Sequence, residues 1–469
     1  MMRNLSNTTS PLTRSLSPPS MRWEDVQLES SVERIPSPSS ISSIASSMTS
    51  RRSSFQSARL PLPPIESGHT SHPTKDETGS ANAELQGPRK APALQDLRHI
   101  PWTDRGGTLE LSTRKVGDKG TPRLLCLDGS GGVRGLSSLL LLKEFLYRVV
   151  KHKKFTGDGT GKILPCEYFD MICGTGTGGL IAIMLGKLRM TVDEAIDKYL
   201  ELSRHIFAQK KWIWKEGRYS ARNLEFIVKN IVGERALLLK LPGYDLHSTS
   251  LEDRGKRIMM RESKSDPKLC KVFVCARQVN DSCEEVSIRS YSFDKSQQED
   301  LTIWEAARAT TASPYFFKPL RIPAGNGRRV GGVYIDAAVG LNNPIKRLLV
   351  EARREFPNIE NAFILSLGSG IQDLIHLPRS AGFSLFRHLQ ALTFLQKIAV
   401  DCESVHQDAC KELHKTPYFR LNVDRGVHGI SHDAWNQVDA IYQSTMAYMQ
   451  RGETDTYIDR IVDAFIEGK

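Results

Sequence analysis

The sequence predicts an α/β fold in which a mainly parallel central sheet is covered by helices on both faces. Short apolar runs typical of buried parallel strands recur between residues 121 and 370. Stretches long enough to be helices separate these runs, and glycine-rich turns lead from two of the runs into the next helix. Strands that alternate with helices in this way form a sheet with a helical layer on each side.

The predicted elements follow one another in that alternating order. Leu124–Leu127 is the first strand, and Leu136–His152, apolar on most of its faces, is the helix after it. A second strand–turn–helix unit occupies residues 168–188, and basic and aromatic helices occupy 191–235. The remaining predicted elements are three strands and a late helix, at Val272–Ala276, Val286–Tyr291, Ala362–Leu367 and Trp435–Met449.

Residues 1–115 are predicted to form a disordered tail. Serine makes up eighteen of the first sixty residues, and prolines punctuate the segment, as in Ser17-Pro18-Pro19. Such a composition buries too little apolar area to offset the entropy that ordering costs. The Ser-Pro pairs and Arg51-Arg52-Ser53-Ser54 are candidate phosphorylation sites, against the simpler interpretation of an inert, solvated tail.

Charge and cysteine content narrow the class of protein. The formal net charge is +11, and residues 1–100 carry 11 basic against 9 acidic side chains, so most of the excess lies in the folded part. A basic fold suits anionic lipid surfaces or nucleic acid, between which charge alone does not choose. The eight cysteines form no Cys-x-x-Cys pair, which predicts reduced thiols in an intracellular compartment instead of a zinc site or a disulfide framework. Neither an apolar signal segment nor an apolar stretch of about 18 residues, the length of a membrane span, is visible in the sequence.

The pentapeptide Gly174-Thr175-Gly176-Thr177-Gly178 is the most informative motif. It follows a short apolar run that ends at Cys173, and it precedes apolar residues that favour a helix. A strand, a tight glycine turn and a helix form the setting of a nucleophile elbow, in which Gly-x-Ser-x-Gly presents an exposed serine on a strained turn. Gly176 occupies the apex here, so the motif lacks the hydroxyl that attacks an ester.

Two further motifs accompany this turn. Asp128-Gly129-Ser130-Gly131-Gly132-Val133-Arg134-Gly135 joins the first strand to its helix, and its glycines let backbone amides approach an anionic group, as in an oxyanion hole or a phosphate cradle. Tyr334-Ile335-Asp336-Ala337-Ala338 places a carboxylate at a predicted strand end, ahead of Asn342-Asn343-Pro344. Taken alone, such an aspartate is more often a turn cap than a catalytic group.

Together and in this order, the three motifs resemble those of the patatin-like phospholipase family. That family carries Asp-Gly-Gly-Gly-x-Arg-Gly, then Gly-x-Ser-x-Gly, then Asp-Gly-Gly or Asp-Gly-Ala. The stretch from Trp304 to Phe317 agrees as well, and the resemblance covers roughly 122–370, with the character of fungal members. It implies a patatin-like three-layer sandwich, with a patatin-like domain at 122–346 and a strand and helices at 347–469 that complete the fold.

The resemblance also implies a serine–aspartate dyad without histidine, in which the serine attacks an ester carbonyl and the aspartate is its base. Carried over to this sequence, Asp336 is the base and Gly176 stands at the nucleophile position. Gly131 and Gly132 are the oxyanion donors, with Arg134 beside them. We expect Asp336 to lie near Gly176 at the carboxyl edge of the sheet, and a separation above about 8 Å would rule the pairing out.

Three departures from the family pattern bear on activity. Gly176 replaces the nucleophile, Ser130 lengthens the first turn by one residue, and Ala337 stands where the family has glycine. Loss of a serine nucleophile costs roughly 10⁶-fold in kcat in a well-studied protease. Thr175 and Thr177 flank the apex, but an elbow directs their side chains elsewhere. The sequence therefore predicts a family member that binds lipid or fatty acyl groups with impaired hydrolysis, a pseudoenzyme that uses no cofactor or metal.

Two alternatives stay open from the sequence. The chain is an active phospholipase A or acylglycerol hydrolase if another nucleophile serves the site. Gly174-x-Gly176-x-x-Gly179, with Asp193 and Glu194 about twenty residues further on, also fits a dinucleotide-binding fingerprint. A Rossmann protein is expected to place that turn on its first strand, which disfavours this second alternative. His428 and His432 are four residues apart but lack the pattern of a zinc motif, so no metal site is predicted.

The lipid family directs attention to one cationic and aromatic stretch. Lys210-Lys211-Trp212-Ile213-Trp214-Lys215 interleaves lysines with tryptophans, residues that favour the interface between a membrane and water. Lys211, Trp212, Trp214 and Lys215 are the candidate membrane contacts, and the plain alternative is a helix or pocket wall with solvated lysines. The prediction is a cytoplasmic protein, peripheral to membranes or lipid droplets, whose partner is lipid and not nucleic acid.

Overall fold

A computed structural model describes residues 120–152, 163–212, 216–242, 250–262, 269–279, 283–292, 301–324, 331–371 and 401–467. The predicted tail at 1–115 lies outside the described residues, as do the candidate membrane contacts Trp214 and Lys215.

In the described part of the chain, eight strands form one sheet. They are β1 Arg123–Leu127, β2 Met171–Thr175, β3 Lys271–Val279, β4 Cys283–Arg289, β5 Leu320–Ile322, β6 Gly332–Asp336, β7 Phe363–Leu367 and β8 Tyr418–Leu421. The strand order is β5-β6-β3-β2-β1-β7-β8, with β4 paired to β3. The β1–β2, β1–β7, β2–β3 and β7–β8 pairs are parallel, whereas β4, β5 and β6 pair antiparallel. The predicted α/β fold with a mainly parallel sheet is confirmed.

The register on β3 brings the ends of β2 and β6 together. β4 pairs with the last seven residues of β3 and so occupies one side of that strand. β2 pairs with the first five residues of β3 and β6 with the next three, which leaves both on the opposite side, end to end. Thr175 lies opposite Cys275, and Asp336 lies opposite the following residue, Ala276. The residue after Thr175 therefore meets the end of β6.

Helices pack on both faces of the sheet. They are α1 Gly135–Lys151, α2 Pro165–Tyr168, α3 Gly176–Ala182, α4 Val192–Phe207, α5 Ala221–Leu239, α6 Leu251–Gly255, α7 Ile303–Thr310, α8 Ala338–Leu341, α9 Ile345–Glu355, α10 Glu403–Glu412, α11 Val438–Met449 and α12 Gly452–Glu467. Successive side chains of a strand point to opposite faces. Leu125 and Leu127 accordingly join the larger core with α1, α4 and α5, whereas Leu124 and Cys126 join the smaller core with α9.

Local sequence explains where α4 and α7 begin. Thr191, ahead of α4, accepts a hydrogen bond from the amide of Glu194, whose carboxylate bonds back to the Thr191 amide. Thr302 and Glu305 form the same reciprocal pair ahead of α7. Each such capping box satisfies two amides that the first turn of a helix leaves without partners.

The predicted elements occur with shifted ends. β1, α1 and β7 begin and end within one residue of the prediction. The apolar run predicted to lead into the elbow is divided, because α2 ends at Tyr168 and β2 begins only at Met171. β4 ends at Arg289 instead of Tyr291, and α11 begins at Val438 because a 3-10 turn at Trp435–Gln437 precedes it. β8 has no counterpart among the predicted strands.

Candidate active site

The turn after β2 has the backbone of a nucleophile elbow. Gly176 begins α3 with a φ of +53°, in the left-handed region that glycine adopts without strain. Its amide donates to Thr310 Oγ1 at 2.9 Å, and that hydroxyl donates to the carbonyl of Cys275 at 2.7 Å. A Cβ on Gly174 or Gly178 would overlap backbone carbonyls, so the turn is packed closely against its surroundings. The apex backbone is therefore fixed by contacts on both sides.

Asp336 lies directly beside the apex. A Cβ built on Gly176 lies 3.2 Å from Asp336 Oδ2 and 3.3 Å from Oδ1. At this separation the carboxylate must give by a few tenths of an ångström to admit a side chain. A hydroxyl at the apex would thus start within the reach that a nucleophile and its base require.

Burial raises the pKa of Asp336 to about 7. The residue is 6% exposed, and desolvation outweighs the polar groups that favour the carboxylate. These groups are the Ala338 amide, which donates to Oδ1 at 2.9 Å, and the hydroxyl of Ser313. A carboxyl with a pKa near neutrality suits general base catalysis, because enough of it is deprotonated at neutral pH while it remains basic.

The turn after β1 is folded onto itself and onto Asn342. The Gly129 amide donates to the Asn342 carbonyl at 2.9 Å, and the Ser130 amide donates to Asn342 Oδ1 at 2.5 Å. The Gly131 amide donates to the Gly129 carbonyl at 2.7 Å. Gly132 lines the pocket with a φ of +52°. Of the two predicted oxyanion donors, Gly131 is engaged within the turn, and Gly132 lies at the pocket.

Arg134 and His432 contact this turn through a chain of hydrogen bonds. Arg134 Nη2 donates to the Ser130 carbonyl at 3.3 Å and lies 2.7 Å from His432 Nε2. A guanidinium only donates, so Nε2 is the acceptor and the ring proton sits on Nδ1. Burial and the charge of Arg134 lower the pKa of His432 to about 3, so the ring is neutral at physiological pH. This neutral imidazole lines the same pocket as Asp336.

The glycine turns and Asp336 open onto one pocket of about 70 Å³. Tyr199 lies at its floor, where the phenol donates to the Gly132 carbonyl. The walls are apolar and come from α4, α5 and the segment after α7, with Leu202, Ile206, Phe207, Leu224, Phe316 and Phe317. Apolar walls around a few convergent polar groups are typical of small-molecule sites. The polar groups of this pocket lie at the glycine turns and Asp336, and its apolar walls lie beside them.

The other predicted site residues lie at different depths. Thr175 is fully buried at the end of β2. Thr177 lines the pocket, and its hydroxyl donates to the Gly129 carbonyl at 2.6 Å. Lys211 and Trp212 lie on the segment that follows α4, where Trp212 is 79% exposed.

The acidic pair of the dinucleotide fingerprint, Asp193 and Glu194, lies in the first turn of α4. Asp193 accepts from Lys143 Nζ at 2.6 Å, and Glu194 belongs to the capping box of α4. A ribose-binding carboxylate stands instead at a strand end in Rossmann folds. Among the described residues, no group of three or more His, Cys, Asp or Glu is placed to hold a metal ion. No helix in the described ranges is long and apolar enough to cross a membrane.

Several supporting residues lack a signal of their own in the sequence. Thr310 and Asn342 belong to stretches that share in the family resemblance, which is the signal that could have identified them. His432 and Arg420 carry no local signature. Arg420, in β8, contacts Asp128 Oδ2 at 2.7 Å and thereby anchors the start of the first glycine turn. It reaches that position across 292 residues of sequence.

Comparison with known proteins agrees with this geometry. Residues 125–349 match the family described as patatin-like phospholipase. Phospholipase A I of Arabidopsis thaliana is 26% identical over 373 residues, which cover 67% of this chain and 26% of that protein. Calcium-independent phospholipase A2-gamma of Rattus norvegicus is 27% identical over 314 residues, covering 64% of this chain and 34% of that protein.

A third relative differs in what its name says about activity. Probable inactive patatin-like protein 9 of Arabidopsis thaliana is 24% identical over 273 residues, covering 55% of this chain and 62% of that protein. The chain thus spans less than two thirds of the length of each of these relatives. Residues 125–349 are thus similar to patatin-like phospholipases.

Proposed function

We propose that this domain binds lipid acyl groups in a hydrolase site whose hydrolysis is impaired at one residue. The observation that carries the proposal is the position of Asp336, 3.2 Å from where a side chain at Gly176 would begin. The backbone of the apex, the base and the apolar pocket occur together, and the attacking hydroxyl is the missing part. Binding and positioning do not require that hydroxyl, whereas acyl transfer does.

In this proposal, each part of an ester lipid has its own region of the pocket. The acyl chain lies along the apolar walls of α4 and α5, and the ester carbonyl lies at the first glycine turn. Asp336, with a pKa of about 7, is a base without a hydroxyl at the apex to deprotonate. Oxyanion stabilisation and binding alone leave about 10³–10⁴-fold acceleration over water in a protease stripped of its triad. Turnover by the native chain is therefore expected to be slow.

The names of the relatives support the substrate class. Two are phospholipases, which directs the search for ligands to phospholipids and their acyl chains. The relative named probable inactive gives a precedent for a patatin-like protein without activity. We therefore propose phospholipid or acylglycerol as the bound class, with the acyl chain as the recognised part.

Gly176→Ser tests the proposal directly. We expect the native chain to show negligible release of fatty acid from a phospholipid or a short-chain ester, and the serine variant to gain at least about 10³-fold, because removal of a serine nucleophile costs roughly 10⁶-fold elsewhere. Gly176→Ala is the matched control, since it places a side chain at the same left-handed φ without a hydroxyl. Gly176→Ser combined with Asp336→Asn is expected to lose the gain.

The outcomes separate three situations. A gain confined to the serine variant supports an otherwise intact site. No gain in a folded serine variant contradicts the proposal that one residue limits hydrolysis, and points to the lengthened first turn, where Gly131 is engaged. Failure of the native chain to bind a fluorescent fatty acid contradicts the acyl-binding part.

A second candidate function is supported by the position of Ser313, whose hydroxyl lowers the pKa of Asp336 against the effect of burial. Ser313 lines the same pocket, so in this candidate it replaces the apex serine as the nucleophile of an active phospholipase A or acylglycerol hydrolase. The native chain would then release fatty acid and react with a serine-directed phosphonate. Ser313→Ala would abolish both, and Gly176→Ala would leave the labelled residue unchanged.

A further inference from the structure

We propose that the pocket mouth carries a docking surface for membranes that contain anionic lipids. The surface, called the aromatic rim below, consists of Lys210, Lys211, Trp212, Arg218, Tyr315 and Lys318. This proposal adds a source of ligand to the proposed function. It rests on that function in one respect, since the docked membrane supplies the acyl chain that enters the pocket.

Backbone hydrogen bonds hold the rim together as one surface. The Lys211 amide donates to the Arg218 carbonyl at 2.9 Å, and the Arg218 amide donates to the Tyr315 carbonyl at 2.9 Å. Arg218 Nη1 also donates to the Tyr315 hydroxyl at 2.5 Å, and its guanidinium lies 5.4 Å from the centre of that ring. A Cβ on Gly217 would meet the Lys318 backbone, so these segments pack closely. Residues distant in sequence thus form one continuous surface.

Two aromatic side chains of the rim are turned outward. Trp212 is 79% exposed and Tyr315 is 64% exposed. Tyr315 has a φ of +78°, a conformation that a bulky residue rarely adopts because it is strained. Backbone strain at such a residue persists where the surrounding structure imposes it, and it occurs preferentially at functional sites. The Tyr315 ring meets the Phe316 ring edge-on with centroids 5.4 Å apart, and most of its surface is left exposed.

The charge of the rim favours an anionic partner. Its four basic side chains lie near two acidic residues, Glu216 in the same segment and Asp433. Asp433 lies 3.6 Å from Lys210 and 3.9 Å from Arg218, and it accepts hydrogen bonds from Tyr219 and Ser431. The rim therefore keeps a basic excess over these two carboxylates. Basic side chains beside interfacial tryptophan and tyrosine match a layer of anionic headgroups above acyl chains.

The rim continues into the pocket wall, which selects a membrane over other anionic partners. The Tyr219 amide donates to the Phe316 carbonyl at 2.8 Å, and the two rings stack with centroids 6.1 Å apart. Phe316 and Phe317 then line the pocket that leads to Asp336. A nucleic acid would use the same cations and rings but has no hydrocarbon chain for the adjoining apolar pocket.

Vesicle sedimentation with the full chain tests the rim. We expect the native chain to bind phosphatidylcholine vesicles that contain phosphatidylserine more tightly than pure phosphatidylcholine vesicles. Trp212→Ala should weaken this binding about tenfold or more, from the apolar area withdrawn. Lys210→Ala and Lys211→Ala should each weaken it about fivefold, and high salt should remove the lysine effect.

Two variants separate docking from folding. Tyr315→Gly removes the ring and relieves the left-handed strain, so its melting temperature should equal or exceed that of the native chain while its vesicle binding falls. Leu238→Ala is the matched control, because Leu238 is 63% exposed at the far end of α5. It lies fourteen residues beyond the pocket residue Leu224, about 21 Å along a helix. It should bind vesicles like the native chain.

Each result bears on one proposal or the other. Native-like vesicle binding by both Trp212→Ala and Tyr315→Gly overturns the rim, as does equal binding to neutral and anionic vesicles. A nucleic acid would be the better partner if single-stranded DNA at matched charge displaces the vesicles and Trp212→Ala binds vesicles as well as the native chain does. That result also overturns the rim. A soluble fluorescent fatty acid reports the pocket separately: its binding should survive in Trp212→Ala. Rim-dependent vesicle binding without fatty acid binding would leave the rim standing and refute the proposed function.

Discussion

Asp336→Asn is expected to stabilise the protein at neutral pH and above. The carboxyl is buried, and its ionised form is disfavoured by desolvation, which raises its pKa from 3.8 to about 7. The folded protein therefore binds a proton more tightly than the unfolded chain does. Stability is fully present below the unfolded pKa, falls as the pH rises from about 4 to about 7, and levels off when both states are ionised. Asparagine keeps an oxygen for the Ala338 amide and removes this titration.

The size of the effect follows from the shift. A change of about 3 pKa units corresponds to roughly 4 kcal/mol at about 1.36 kcal/mol per unit, and this is an upper bound because charged groups in proteins relax and attract water. We expect about 2–4 kcal/mol in the free energy of unfolding. At about 2 °C per kcal/mol for a large domain, the melting temperature of the variant should rise by roughly 4–8 °C at pH 8.

The assay is thermal or urea unfolding of the native chain and Asp336→Asn at several pH values between 4 and 8. Only the difference between the two proteins is used, which removes the titration of all other groups. Asp439→Asn, which removes an exposed carboxylate in the first turn of α11, is the matched control. A difference that does not grow between pH 4 and 7, or that grows equally in the control, would refute the assignment of a desolvated carboxylate at this position.

Two further predictions concern the support of the site. Arg420→Met should lower the free energy of unfolding by about 3–5 kcal/mol, measured by urea unfolding, because it leaves Asp128 buried without the guanidinium at 2.7 Å. Arg420→Met combined with Asp128→Asn should recover a large part of the lost stability. An equal loss in the single and the double variant would contradict the pairing. Thr310→Val should cost about 1–3 kcal/mol, because it removes the hydroxyl that accepts from Gly176 and donates to Cys275, whereas Thr310→Ser should be close to native. In the Gly176→Ser background, Thr310→Val should also reduce ester turnover more than Thr310→Ser does, and equal turnover would show that the apex needs no support from α7.

The sequence predicts those parts of the site that depend on neighbours along the chain. A glycine turn between an apolar run and a helix is a local pattern, so contiguous residues suffice to predict β1, α1, β2 and the elbow at Gly176. The glycine at the apex is likewise a property of one residue in one motif. Asp336 is recognisable as a carboxylate at a strand end, though only the order of the three motifs links it to the elbow.

The relation between these motifs depends on contacts that no local pattern contains. Asp336 meets Gly176 because β2 and β6 pair with successive parts of one side of β3, which is a matter of register between three strands. His432 reaches the first glycine turn from 298 residues away, and its tautomer follows from the donor that it faces, Arg134. Tyr315 is linked to the segment of Lys211 by backbone hydrogen bonds through Arg218, which the sequence does not indicate.

By itself, the sequence determined the α/β class, the two glycine turns and the glycine at the apex of the second turn, because each of these depends on contiguous residues. The tertiary structure decided which groups surround the apex, which distant residues contact the first glycine turn, and which segments the backbone hydrogen bonds of the rim join. Those properties arise from burial and from pairing between distant segments. Desolvation, which sets the pKa of Asp336, exists only once the chain has closed around it.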